Sequence, residues 1–337
     1  MVSIDEFAYD LPDEQIAQTP AEPRDSARLL DATGSDIVHR AVDELPSLIR
    51  PGDVVVVNDT RVIPARLALQ KETGGAVEVF LLEPFDTPTG EWRALVRPSR
   101  RVKPGSTVFG PDGTPAVVVG QDLGDGVRVV HAATDEALLH LAARLGTVPL
   151  PPYITAELDD AERYQTIYAR NERSVAAPTA GLHLTDAVLA AVEAAGAAIH
   201  TVELAVGLGT FRPILVDDIA EHEMHGERFL VDPAVVEACM AADRVIAIGT
   251  TTVRALESAA TFGIGDGTTE LFISPGYEWK LVDVLFTNFH QPRSSLLVML
   301  AAFAGERWRD IYTEALAEQY RFLSFGDAMI VSRQEVG

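Results

Sequence analysis

Val54-Val55-Val56-Val57 is a continuous β-branched run that follows the turn signal Pro51-Gly52-Asp53. A strand that is apolar on both faces belongs inside a parallel or mixed sheet with helices outside it. It delivers Asn58-Asp59-Thr60-Arg61 at its C-terminal end, the end at which open α/β sheets gather ligands. From about Ala65 to Ala132 the texture changes. The short runs RLALQ, AVEVFLLE, WRALVRP, STVFG, TPAVVVG and VRVVHA alternate with Gly- and Pro-rich turns. Six such runs at close spacing predict a small antiparallel barrel. From Asp135 helical periods return: DEALLHLAARLG reads as an amphipathic helix that stops at Gly146, and PLPPYI as an extended connector. TDAVLAAVEAA reads as a helix with Thr185 as N-cap and Gly196 at its end. After the strand-like IHTVELAV come a helix over Pro233–Ala242, a strand over Arg244–Ile248 and a helix over Thr252–Ala260. A strand over Leu281–Phe286 and helices over Ser295–Ala304 and Arg307–Tyr320 complete the chain. The expected fold is α/β: a discontinuous main domain with a mixed sheet, residues 1–63 and 135–337, and an inserted small antiparallel β-barrel domain at 64–134.

A length of 337 residues fits two such domains. The 47 % hydrophobic and 23 % charged fractions exclude a disordered chain. No apolar run reaches the roughly 18–20 residues of a membrane helix. The N-terminal MVSIDEFAYDLP is acidic and has no basic segment ahead of an apolar one. A cytoplasmic protein with no membrane partner is expected. The single cysteine, Cys239, excludes an internal disulfide and a multi-cysteine metal site. The net charge of −23 argues against non-specific nucleic-acid binding. Charge is local, however. Arg93, Arg97, Arg100, Arg101 and Lys103 fall within eleven residues that contain no acid.

Five polar clusters stand at strand-to-helix transitions. Ala177-Pro178-Thr179-Ala180-Gly181-Leu182-His183 is a small, turn-forming segment whose backbone N–H groups suit an anion. Val206-Gly207-Leu208-Gly209-Thr210-Phe211-Arg212-Pro213 lets a ligand approach the backbone closely. It is not a dinucleotide fingerprint, because Pro213 blocks the helix that must follow. In His222-Glu223-Met224-His225-Gly226-Glu227 the imidazoles are three apart, one short of the zinc-protease spacing, and no third ligand is evident. Acid–base or nucleobase contact is the better reading, and no metal is expected. Gly249-Thr250-Thr251-Thr252-Val253-Arg254 follows an apolar strand and opens a helix; the plain structural alternative is an N-capped helix with an Arg254–Glu257 pair. Thr287-Asn288-Phe289-His290-Gln291-Pro292-Arg293-Ser294-Ser295 again lies between strand and helix. Five such loops on one chain favour an enzyme over a scaffold.

Read in order, LPDEQIAQTPAEPRDSARLL, VVNDTRVIPARL, PPYI, ERYQTIYA, SVAAPTAGLHLT, VGLGTFRP, HEMHGE, GTTTVRALES, ISPGY, TNFHQPRSSLL and YRFLSFGDAMI resemble one family. It is the S-adenosylmethionine:tRNA ribosyltransferase-isomerase family of queuosine synthesis, and the resemblance spans about residues 5–331. It implies an enzyme that moves the ribosyl unit of S-adenosylmethionine onto 7-aminomethyl-7-deazaguanine at the tRNA wobble position. The products would be epoxyqueuosine-tRNA, adenine and methionine. S-adenosylmethionine is then a substrate, no cofactor is needed, and a monomer is expected. The family's architecture, an α/β domain interrupted by a small β-barrel, agrees with the pattern read above.

On this resemblance His183, His225 and His290 become candidate proton carriers, with Asp59 beside them. Asp59 and Glu203 are candidates to hold the cationic amine or sulfonium, and Arg254 the methionine carboxylate. Asn58, Arg61, Thr179, Gly181, Gly207, Gly209, Thr210, Thr250 and Thr251 complete the expected substrate site. Arg97, Arg100 and Arg101 are expected to meet tRNA phosphates. Three residues depart from the family's pattern and are expected beside the pocket: Arg173 before SVAAPTAG, Leu184 after the PTAGLH segment, and Gln291 after TNFH. They either tune acceptor recognition or mark a paralogue with another acceptor; a non-catalytic RNA- or nucleotide-binding module is a separate alternative.

Overall fold

The computed structural model describes residues 2–85, 90–207, 214–224 and 226–334. It contains two compact units: Met1–Arg61, Pro151–Asn171 and Ala177–Gly337 form one, and Val62–Leu150 with Glu172–Ala176 the other.

The first unit is built on one mixed sheet, in the order Asp266–Thr269, Glu227–Leu230, Ala198–Leu204, Asp53–Asn58, Arg244–Ile248, Val284–Asn288, Ala328–Ser332, Arg28–Ala32, Val38–Ala41. The four strands from Ala198–Leu204 to Val284–Asn288 run parallel. The Val54–Val57 run is wholly buried, as a two-sided apolar strand requires. Alternate residues (Val55 and Val57, Ile246 and Ile248, Val284 and Phe286) form one core layer with Val188 and Val192. Those two come from the helix Asp186–Ala194, which Thr185 caps by accepting from the Val188 N–H at 3.2 Å. Each such side chain taken from water contributes about 1.5–3 kcal/mol.

Local boundaries move where side chains claim the backbone. The expected strand over Leu281–Phe286 forms at Val284–Asn288 instead. The Leu281 and Val282 N–H groups donate to Glu257 Oε1 at 3.0 Å, so they are not available to a ladder. The helix after Gly249 already starts at Thr250 and runs to Phe262. Gly249 sits at φ 90°, a conformation that only glycine adopts without strain. The last helix spans Arg307–Ala317 and stops short of Tyr320, where Gln319 turns to φ 55°.

In the second unit six antiparallel strands close on themselves. The ring runs Arg66–Gln70, Ala76–Pro84, Trp92–Arg97, Val127–Ala132, Pro115–Gly124 and Thr107–Phe109, and a Gln70–Phe109 pairing returns it to the first strand. Leu67, Leu69, Val79, Val96, Val117 and Val130 fill its interior. The expected domain end at residue 134 falls short of this unit's end at Leu150. Helix Leu138–Leu145 buries Leu138, Leu141 and Ala142, and Gly146–Thr147 pairs with the strand Arg66–Gln70. Gly146 is required there, because a Cβ would lie 2.0 Å from the Pro64 carbonyl oxygen. The helix's apolar stripe was legible in the sequence; which core it covers was not. Among the described residues no helix is long and apolar enough to cross a membrane.

Candidate functional site

Because four strands run parallel, the segments after Leu204, Asn58, Ile248 and Asn288 reach one edge of the sheet. The antiparallel strand Ala328–Ser332 starts at that same edge, with Ala328 opposite Asn288. A cleft of about 630 Å³, its open mouth included, lies there. Of the residues expected to bind or react, Thr179, Thr250, Thr251 and His290 line it. So do Tyr153, Asn288 and Ser324, which sequence reasoning left unassigned. Each belongs to a quoted motif, but none carries an isolated chemical signature. Leu323 takes φ 70°, a costly state for a side chain of this kind, and both it and Ser324 lie on the lining. The Leu323 N–H donates to the Phe289 carbonyl at 3.2 Å. The Tyr153 hydroxyl, 2.7 Å from Ser324 Oγ, is pushed up to about 12 by burial.

A second recess of about 390 Å³ shares Thr250, Thr251 and Leu296 with the cleft. Arg254 and Glu227 line it and form a buried ion pair with each other. Arg254 also donates to the Thr269 carbonyl at 2.9 Å. It therefore meets an acid from the HEMHGE motif rather than Glu257, and it is not an unpaired guanidinium waiting for a carboxylate. Glu257 instead accepts from the Lys280, Leu281 and Val282 N–H groups and the Tyr277 hydroxyl at 2.9–3.0 Å. Gly207 donates its N–H to Glu227 Oε1 at 3.0 Å.

The histidines divide. His290 lines the cleft, with Nε2 3.3 Å from the Thr287 hydroxyl and its N–H donated to the Tyr312 hydroxyl at 2.8 Å. His183 stands behind the lining, buried, with Nε2 3.0 Å from Asn288 Nδ2. Burial lowers both imidazoles to about 3, and for His183 the Arg321 and Arg24 charges add to it. Both are therefore neutral at pH 7, well below the 6.5 expected of a poised proton carrier. His225, Gly209 and Thr210 lie outside the described residues.

Asp59 is buried, and burial raises its carboxyl above the usual range against the opposing charge of Arg170. Among the described residues its Oδ1 has no hydrogen-bond partner. Glu203 accepts from Asn171 Nδ2 at 2.8 Å. Neither acid is among the residues lining the two recesses. Three expected binding residues have structural employment. Asn58 spends its amide on the Leu204 carbonyl and on the Thr60 and Leu204 N–H groups, at 3.1–3.3 Å. Gly181 packs under Tyr168, whose hydroxyl would lie 2.0 Å from an added Cβ. Arg61 pairs with Glu162. Of the three departures from the family pattern, only Gln291 lies on the cleft; Leu184 is in the core and Arg173 belongs to the second unit.

On the barrel, Arg97 is exposed and 3.9 Å from Glu78. Arg100 and Arg101 project from the exposed turn Ser99–Arg101, and the described residues give neither an acid partner.

The family model described as Queuosine biosynthesis protein matches residues 4–331. A Rubrobacter xylanophilus protein named S-adenosylmethionine:tRNA ribosyltransferase-isomerase is 48 % identical over 330 residues, 97 % of each chain. A Synechococcus elongatus protein of the same name is 48 % identical over 344 residues, covering 97 % of this chain and 95 % of its own. The crystal structure of the S-adenosylmethionine tRNA ribosyltransferase from Thermotoga maritima is similar with a TM-score of 0.55. It is 34 % identical, and the match covers 97 % of this chain and 99 % of that one.

Proposed function

The chain belongs to the S-adenosylmethionine:tRNA ribosyltransferase-isomerase family of queuosine biosynthesis, and on that premise we propose that it transfers and isomerises the ribosyl unit of S-adenosylmethionine onto 7-aminomethyl-7-deazaguanine at the tRNA wobble position. The products are epoxyqueuosine-tRNA, adenine and methionine. S-adenosylmethionine is consumed as a substrate, and the enzyme works without a cofactor, as a monomer, in the cytoplasm. The observation that carries this reading is the match over residues 4–331 together with a cleft at the sheet edge, to which six of the quoted motifs contribute.

The chemistry needs three things from side chains. A sulfonium acidifies the adjacent C5′ hydrogens, so a neutral base must stand near them. Adenine must leave as its bond to the sugar breaks. The acceptor amine must attack unprotonated and then lose a proton. His290 is the histidine on the lining and so the one placed to meet a substrate proton, but burial, which lowers it to about 3, makes it a weak base until a bound substrate changes its surroundings. Asp59 and Glu203, near the same strand ends, supply negative potential for a cationic sulfonium or amine. Positioning two large substrates contributes further. The wobble base must leave its stack to enter such a cleft.

A second reading, a relative acting on a different acceptor, has one observation in its favour: Gln291, a departure from the family pattern, lies on the cleft. Release of adenine from S-adenosylmethionine separates the readings. Adenine released only with tRNA bearing the 7-aminomethyl base is the expected result. Adenine released with another acceptor favours the second reading, and none under any condition leaves a binding module.

A further inference from the structure

Asn288 lines the cleft with its side-chain amide held on three sides. Nδ2 reaches His183 Nε2 at 3.0 Å and the Asp327 carbonyl at 3.4 Å. Oδ1 accepts from the Thr179 hydroxyl at 2.9 Å. The direction of every bond in this chain follows from chemistry. A carbonyl oxygen only accepts, so the amide atom facing Asp327 is nitrogen. An amide nitrogen only donates, so His183 Nε2 carries no proton. Thr179 has one hydroxyl proton and gives it to Asn288. Lone pairs on Asn288 Oδ1 and Thr179 Oγ1 are then all that this pair offers a ligand.

We propose that Asn288 and Thr179 form an acceptor-only subsite for the N–H donors of a substrate amino group, and that His183 is the positioning residue that fixes its polarity. The inference rests on the proposed function, in which both substrates carry amino groups. S-adenosylmethionine carries the 6-amino group of its adenine and the α-amino group of its methionine, and the acceptor base carries a 2-amino and a 7-aminomethyl group; the subsite is assigned to the 6-amino or the 7-aminomethyl group. An oxo or nitrile group at the same place meets lone pairs with lone pairs and is rejected. The burial that keeps His183 neutral serves the same end. A protonated imidazole would turn an N–H against the Asn288 amide and reverse the chain.

Two measurements test this. The first compares binding of S-adenosylmethionine with that of its 6-oxo analogue, and binding of tRNA bearing a 7-aminomethyl base with that of tRNA bearing a 7-cyano base. Wild type is expected to prefer the amino form of one substrate by about tenfold or more, the effect of a buried hydrogen bond. Thr179→Val is expected to lose most of that preference, and the substrate that shows it identifies the amine. No preference on either substrate, or a preference that Thr179→Val leaves intact, overturns the subsite. The second compares His183→Gln, which keeps an acceptor near the position of Nε2, with His183→Leu in adenine release. Leu is expected to raise KM about tenfold, and Gln to bring KM back to within about threefold of wild type with the same pH profile. If Gln lowers kcat as severely as Leu and removes a titrating limb, His183 carries a proton and the positioning role is overturned. Should the Leu variant fail to fold, the Gln variant and its pH profile decide alone. Wild-type protein that selects the amino ligand yet releases no adenine refutes the proposed function and supports the subsite. Wild-type protein that releases adenine without selecting refutes only the subsite.

Discussion

The two units of this chain differ sharply in charge. The barrel unit, residues 62–150 and 172–176, carries ten Lys and Arg against eleven Asp and Glu, so its net charge is −1. The remaining residues carry seventeen against thirty-nine, a net of −22. Their cations are also heavily engaged. Arg244 pairs with Asp53 and Arg254 with Glu227, while Arg24 donates to three backbone carbonyls. The turn Ser99–Arg101 instead presents Arg100 and Arg101, with Lys103 two residues on, and the described residues give none of them an acid partner. A polyanion therefore has its least repulsive approach on the barrel. The acidic sheet unit suits cationic groups such as a sulfonium or an amine. A total charge of −23 averages two units of different charge.

That contrast can be broken from either side. The largest effect is expected inside the sheet unit. Arg254→Met leaves Glu227 buried without its cation and should cost about 3–5 kcal/mol of stability, read by urea denaturation. A loss below about 1 kcal/mol would mean that the pair is solvated. Next, Asn288→Ala should lower kcat/KM for adenine release by roughly tenfold to a hundredfold, with tRNA affinity at low salt little changed. A variant that loses affinity equally for tRNA with and without the 7-aminomethyl base would move polyanion binding into the sheet unit. Third, replacing Arg100, Arg101 and Lys103 together by Gln should weaken tRNA binding about tenfold and flatten its salt dependence, by about one in slope per lost phosphate contact. Unaltered affinity at low salt would remove the barrel from the interface. Arg97→Gln, beside Glu78, should do distinctly less than the triple variant.

The smallest effect concerns pH. His183 and His290 are held near 3 when folded against an ordinary 6.5. As pH falls through 6.5 the unfolded chain takes up their protons and the folded chain does not. Their contribution is intact above about pH 6.5 and erodes below it. Asp59, whose carboxyl is raised, acts in the opposite sense within the carboxylate range. Denaturation at pH 7.5 and 5.5 should therefore show a loss that His290→Gln reduces. An identical loss in that variant would mean that His290 is protonated in the fold.

Much of the architecture is legible in the sequence. The four consecutive valines, the Thr185-capped helix and the six alternating runs of the barrel each carry their own periodicity. So did the concentration of polar motifs at strand ends, and Thr179, Thr250, Thr251 and His290 do share one cleft. The use made of individual side chains was not legible. Asn58 looks like a binding residue and stitches strands, whereas Asn288, of the same type and also at a strand end, faces the cleft. Arg254 has Glu257 three residues away, within reach on a helix, and takes Glu227 instead.

Local pattern fixes which backbone states a segment favours, because propensity, capping and burial periodicity act over a few residues. It therefore set the strands and helices of this chain, the barrel's six runs and the segments that carry polar groups. Partners at separations of tens to hundreds of residues were decided only by the tertiary fold: His183 with Asn288, Arg254 with Glu227, the apolar face of helix Leu138–Leu145 with the barrel unit. Each donor buried at the sheet edge takes whichever acceptor the chain crossing brings within about 3 Å, and one-dimensional spacing does not carry that distance.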